Sequence, residues 1–156
     1  MKPRVLIIAY GNPLRSDDSV AWRAADRLRL SLPDAEIQCL HQLGPELAEA
    51  ITHFERVIFL DAAFLTEGMK PGEIHIQPIL SDTNAIDASR FSHVLTPRTV
   101  VTLASTLYLA DVNANLVTIT GENFGHGDCL SNAVSAAVPS LVAKVIEIVR
   151  GHIAKP

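Results

Sequence analysis

The apolar run Val5-Leu6-Ile7-Ile8-Ala9-Tyr10 passes directly into the turn Gly11-Asn12-Pro13-Leu14-Arg15-Ser16-Asp17-Asp18. A continuous apolar run of this length reads as a strand buried on both faces, as in a sheet covered by helices on each side. Gly11 permits backbone angles that other residues resist, and Pro13 fixes its own, so the chain turns sharply at the strand's end. Asp17 and Asp18 then fall at or just before a helix N-terminus, where partial positive charge gathers. Two adjacent acids at the exit of a buried strand need a physical reason, and the rest of the chain is read for one.

The spacing predicts a helix from about Ser19 to Leu30, with Val20, Ala24 and Leu28 beside Trp22 and Ala25 on its apolar face, ended by Ser31-Leu32-Pro33-Asp34. A strand follows at Glu36 to Leu40, then the loop His41-Gln42-Leu43-Gly44-Pro45 and a helix to about Phe54. The next strand, Arg56 to Asp61, is again apolar until its terminal acid. Only eleven residues lie between Asp61 and Glu73, too few for a helical crossover. With Pro71-Gly72 as a turn, the strand Glu73 to Pro78 is expected antiparallel to the one ending in Asp61, at a sheet edge. A polar segment from Leu80 to Leu95 carries His93. Thr96-Pro97 open a helix to about Tyr108, and a strand covers Leu116 to Gly121. A loop through Gly125 and Gly127 leads to a last helix, about Ser131 to Arg150, closed by Gly151, in which Pro139 marks a kink or a second start. This alternation predicts an α/β three-layer sandwich with a mostly parallel sheet.

The length of 156 residues predicts one domain, 1–156. A hydrophobic share of 48% against 19% charged residues fits a compact core, and a formal charge of -4 without a basic stripe argues against nucleic acid. No run approaches a membrane span, and the apolar run behind Lys2 and Arg4 is too short for a signal peptide; a cytoplasmic protein is expected. Cys39 and Cys129 lie far apart and outside any C-x-x-C pair, so both are expected to be buried, reduced thiols.

In parallel sheets the functional crevice lies beyond the carboxyl ends of the strands. Asp18 and Asp61 share that edge if their strands are neighbours. With His93 they make a donor set suited to a divalent cation such as Zn²⁺ or Ni²⁺, with positions left for water or substrate. Each residue has a plainer reading: Asp18 as a helix cap, His93 as a surface histidine. Asp61 has fewer, since an acid ending an apolar strand has few structural jobs. His41 is either a fourth polar group over this edge or a loop histidine bonded to backbone, and Asn12 either steadies the turn or meets substrate. His126 in the glycine-rich loop carries no assignment. Signatures of zincins, serine hydrolases, P-loops and dinucleotide folds are absent.

Taken together the motifs resemble the [NiFe]-hydrogenase maturation endopeptidases. The resemblance rests on G-N-P-L-R-x-D-D at Gly11 to Asp18, Asp61-Ala62 followed by Pro71-Gly72, Ser92-His93 before Leu95, and the Gly-x-x-Leu-Ser run ending in Leu130-Ser131. It implies a five-stranded sheet with helices on both faces and a nickel-interacting site at Asp18, Asp61 and His93. It further implies removal of a C-terminal extension from the hydrogenase large subunit precursor. The nickel is carried by that precursor, and Zn²⁺ or Cd²⁺ can stand in for it. Metal-assisted amide hydrolysis by Asp18, Asp61 and His93 is the expected chemistry, with Asn12, His41 and Gln42 toward the substrate. The chain departs from the pattern at Ser19 and Ala21, where the family has Gly-x-Gly. It also departs at His41-Gln42-Leu43, where the family has Gly-Gly-Thr, and in lacking a proline after the last strand. A module of this fold that binds a hydrogenase subunit or another protein without cutting it is the alternative, followed by a nucleotide-binding α/β domain.

Overall fold

The computed structural model describes residues 4–82 and 95–151. Along the chain run β1 (Val5–Tyr10), α1 (Val20–Ser31), β2 (Glu36–Leu40), α2 (Leu47–Ala50), β3 (Arg56–Ala63), β4 (Ile74–Ile79), α3 (Pro97–Tyr108), β5 (Ala114–Thr120) and α4 (Asn132–Val149). The sheet order is β2-β1-β3-β5-β4, with β1 parallel to β2 and β3, β3 parallel to β5, and β4 antiparallel to β5. This is the expected α/β sandwich.

Alternation along each strand sorts the core into two layers. Ile7, Ala9, Ile58, Leu60, Val117 and Ile119 pack against α1 and α4. Leu6, Ile8, Val57, Phe59 and Ala114 pack against α2 and α3. β1 is therefore buried on both faces, as its composition requires. On α4, Val134, Val138, Leu141, Val145 and Ile148 are buried. That helix is as long and apolar as a membrane span, with mean hydropathy 1.5, but its buried face belongs to the core. Pro139 lies within it on the exposed side, where the Ser135 carbonyl that loses a donor can be hydrated. Gly151 follows with φ +76°.

Three details differ from expectation. The segment after Pro45 forms only the short α2 and a 3-10 turn at Ile51–His53, tightened where the Thr52 hydroxyl donates to the Glu49 carbonyl at 2.7 Å. β4 is an antiparallel edge strand, but its neighbour is β5 and not β3. The link from β3 crosses two strand spacings, about 10 Å. The slot it leaves goes to the more apolar strand: Val117 and Ile119 are fully buried, whereas His75, Gln77 and Pro78 on β4 are exposed. Of the cysteines, Cys39 is half-buried and Cys129 is exposed, because Cys129 sits on a surface loop outside both core layers; both are free thiols.

The turn before β4 sets its phase. Glu73 N–H donates to the Lys70 carbonyl at 3.2 Å, Gly72 N–H to Thr120 O at 2.7 Å, and Thr120 N–H to Glu73 O at 2.8 Å. Gly72, at φ +82°, lets it and Glu73, just ahead of β4, face the single residue Thr120 of β5, as in a bulge that begins with glycine. Counting on, His75, Gln77 and Ile79 exchange ladder bonds with β5, and Pro78 turns its nitrogen outward, where no donor is needed.

A Cβ on Gly72 would lie 2.8 Å from the Ala133 carbonyl oxygen of α4, whereas one on Gly68, at the same φ of +82°, meets nothing within 4 Å. Gly68→Ala is expected to cost about 1 kcal/mol from backbone strain alone. Gly72→Ala is expected to cost at least about twice that, because the turn must also shift on α4. Urea denaturation of the two variants side by side measures the difference.

Candidate functional site

The loop after β1 gives its two acids different tasks. At Gly11 (φ +146°) the chain folds back so closely that a Cβ would lie 2.2 Å from the Asp18 carbonyl oxygen. The Asn12 side-chain oxygen accepts from Leu14 N–H at 2.9 Å, and Asn12 N–H donates to Asp18 Oδ2 at 2.7 Å. Asp18 is thus held by the turn and does not cap α1. A 3-10 turn at Ser16–Ser19 then carries the chain into that helix.

Asp17 is fully buried and points the other way. Its Oδ2 accepts from Glu122 N–H at 2.8 Å, Asn123 N–H at 2.9 Å and the Ser131 hydroxyl at 2.8 Å, and its Oδ1 from Ser131 N–H at 2.7 Å. Burial pushes this carboxyl up, but the backbone donors of Asn123, Glu122 and Ser131 and the Ser131 hydroxyl outweigh it and hold the pKa below the usual carboxylate range. The same loops are tied by Ser16 N–H to Gly127 O and Gly127 N–H to Leu14 O, both 2.9 Å, and by the Arg23 guanidinium on the Asp128 carbonyl.

Asp61 comes from the sheet. On the face under α2 and α3, the rows Leu6-Val57-Ala114 and Ile8-Phe59-Leu116 are apolar. One row further toward the carboxyl ends stand Tyr10, Asp61 and Thr118, with His75 opposite Thr118 on β4. The Tyr10 hydroxyl is hydrogen-bonded to Asp61. Burial raises the Asp61 carboxyl to about 7, and the Asp18 charge adds to this against the bonds from Tyr10 and the Ala62 N–H. Tyr10 is itself pushed well above the usual phenol value, by burial first and then by the Asp61 and Asp18 charges.

Asp18 and Asp61 are therefore brought together at the carboxyl edge, close enough for one charge to raise the other. His93 lies outside the described residues, and among those described no three His, Cys, Asp or Glu side chains form a metal-holding group. His41 and Gln42 are exposed at the end of β2, with the His41 ring edge-on to Trp22 at 5.3 Å. His126 is exposed. Two residues escaped the reading of the sequence. Tyr10 reads as the last residue of an apolar run until the register sets it beside Asp61, and nothing in the pair Asp17-Asp18 says which acid turns inward.

The fold compares across nearly its full length with solved structures. It matches the hydrogenase-maturating endopeptidase HybD from E. coli with a TM-score of 0.67 at 21% identity, covering 96% of this chain and 93% of that one. It matches the [NiFe] hydrogenase maturation protease HycI from Thermococcus kodakarensis KOD1 with a TM-score of 0.70 at 21% identity, covering 96% and 94%. The fold is that of the [NiFe]-hydrogenase maturation proteases. The hydrogenase 2 maturation peptidase from Thaumarchaeota archaeon SCGC_AB-539-E09 matches likewise, with a TM-score of 0.67 at 24% identity, covering 93% and 97%. No protein-family model matches the chain, and neither does any curated protein. Within this maturation-protease fold, the acid pair stands where an open parallel sheet places a functional crevice.

The carboxyls of fully buried Asp17 and half-buried Asp61 respond to pH with opposite sign. The folded pKa of Asp17 lies below its unfolded value near 4, so its contribution is present above that value and lost as pH falls through the folded pKa. Asp17→Asn is expected to cost about 1–3 kcal/mol at pH 7, because buried N–H donors lose their acceptor, and markedly less at pH 3. The folded pKa of Asp61 is raised to about 7, so stability from this group falls as pH climbs from about 4 to about 7. Asp61→Asn is expected to melt above the parent at pH 8 and level with it at pH 4. Thermal melts across pH check both signs.

Proposed function

We propose that the chain is an endopeptidase that removes a C-terminal extension from the nickel-loaded [NiFe]-hydrogenase large subunit precursor. The observation that carries this reading is the meeting of Asp18 and Asp61 at the carboxyl edge of a sheet whose fold is shared with maturation proteases. The donor set fits a divalent cation. Asp61 is raised to about 7 by burial and, in smaller part, by the Asp18 charge, and a cation held at this edge would favour both ionised forms. Asp18, Asp61 and His93 are the residues that hold the ion, with nickel arriving as part of the precursor.

An ion held by Asp18, Asp61 and His93 would supply Lewis acidity toward the scissile carbonyl or a water. The chain's own residues do the rest. Gly11 and Asn12 set Asp18, Tyr10 orients Asp61 through its hydroxyl, and a carboxylate of the pair takes the proton of the attacking water. Asn12, His41 and Gln42 face the polypeptide. Because nickel belongs to the substrate, only a loaded precursor presents its tail to the site. This reading goes with the expectation of a cytoplasmic protein.

Incubation with the nickel-loaded precursor, read by its shortening on a gel, tests the reading. Asp61→Ala and His93→Ala are each expected to slow cleavage by about 10²-fold or more. Full activity in both removes the site. Binding without shortening by the parent protein replaces the proteolytic reading with that of a non-cutting partner.

A further inference from the structure

Large apolar side chains stand exposed at both ends of the sheet. Leu80 and Leu109 lie at the amino end, around a cavity of about 520 Å³ lined also by Ile79 and Val112, and Leu107 is exposed nearby in the last turn of α3. Leu14, Phe64 and Leu65 lie at the carboxyl end, 66%, 68% and 47% exposed. The second group shares its loops with the acid pair: Leu14 is in the turn that ends in Asp18, and Phe64 and Leu65 follow Asp61 at the end of β3.

Leu14 and Phe64 are both tied to the loop at 124–127, and Leu65 follows Phe64 in the chain. The Leu14 carbonyl accepts from Gly127 N–H at 2.9 Å, and Arg15 Nε donates to the Phe124 carbonyl at 3.1 Å. The Phe124 ring packs against Phe64 with centroids 4.6 Å apart. Ser16, next in the chain, is buried at φ +50°, a left-handed conformation that costs a non-glycine residue about 1 kcal/mol or more. The backbone thus accepts strain, and Arg15 spends its side chain on the neighbouring loop, while Leu14 is left in solvent. Exposed apolar groups on a preorganised frame beside a reaction site serve binding, because little ordering cost remains when a partner covers them.

We propose that Leu14, Phe64 and Leu65 form the docking rim for the polypeptide substrate, taking apolar side chains next to the bond that is cut. This rests on the proteolytic reading and adds the class of residue that the site accepts. Phe64 is three residues from Asp61, at most about 10 Å of extended chain, so the rim meets substrate side chains within about three positions of the bond held at the acids. The continuity of rim and acid pair on the same two loops selects the substrate, and not a second copy of the chain, as the occupant.

The test uses the full chain and the nickel-loaded large subunit precursor. Leu14→Ser combined with Phe64→Ser is expected to raise KM about tenfold or more with kcat within about twofold, since docking and not chemistry is removed. Leu65→Ser alone, which leaves the Phe64–Phe124 contact in place, is expected to raise KM by a smaller factor. Leu107→Ser combined with Leu109→Ser, at the far end, is expected to leave KM unchanged. An unchanged KM in the first two variants, or an equal rise in the third, overturns the rim while cleavage by the parent upholds the proteolytic reading. If the parent binds the precursor without cutting it, the proteolytic reading falls and the same ratios in Kd decide the rim. If it neither binds nor cuts, both fall.

Discussion

The bond set around Asp17 holds the carboxyl end of the sheet in shape. A carboxylate with no exposure to water is tolerated only when its lone pairs are filled, and here three backbone N–H groups and a hydroxyl fill them. Those donors come from the residues after β5 and from Ser131, just ahead of α4, so one side chain joins the exit of β1, the exit of β5 and the start of the last helix. The left-handed Ser16 and the tight approach at Gly11 persist because this clamp over-determines the loop around them. Asp18 is then free to face the strand ends, since its neighbour has taken the structural task.

Asp61 shows the opposite economy. The face that bears it is apolar for two rows and turns polar only at Tyr10, Asp61 and Thr118. Burial and the Asp18 charge both disfavour its ionised form, so the residue costs stability near neutral pH where Asp17 contributes it. A carboxyl raised by burial at a strand end, with a second acid charge near it, marks this edge as a candidate site. The fold, shared at 21–24% identity with solved maturation proteases, survives wide sequence change because it asks only for apolar strands, covering helices and a few turns.

Much of the architecture was legible because it follows from local rules. Continuous apolar runs specify strands buried on both faces, as Val5–Ala9 and Val57–Leu60 prove to be. Thr96 and Pro97 open α3 as a capping side chain and first-turn proline should, with the Thr96 hydroxyl accepting from Thr99 N–H at 3.2 Å. Pro71-Gly72 marks a turn whose glycine needs its positive φ. The neighbour of β4 was not legible, because an antiparallel edge strand can lie against either of two strands, and only competition for the buried slot chooses between them.

The sequence by itself determined that two acids end up at the carboxyl edge of a covered parallel sheet, since strand polarity and the positions of Asp18 and Asp61 in the chain require it. Tertiary structure alone decided that Asp17 turns inward, that Tyr10 meets Asp61, and that Leu14 and Phe64 are both tied to the loop at 124–127. Each of these depends on which loop or strand comes to lie beside which, and pairings more than a hundred residues apart, such as Asp17 with Ser131, leave no trace in local propensity.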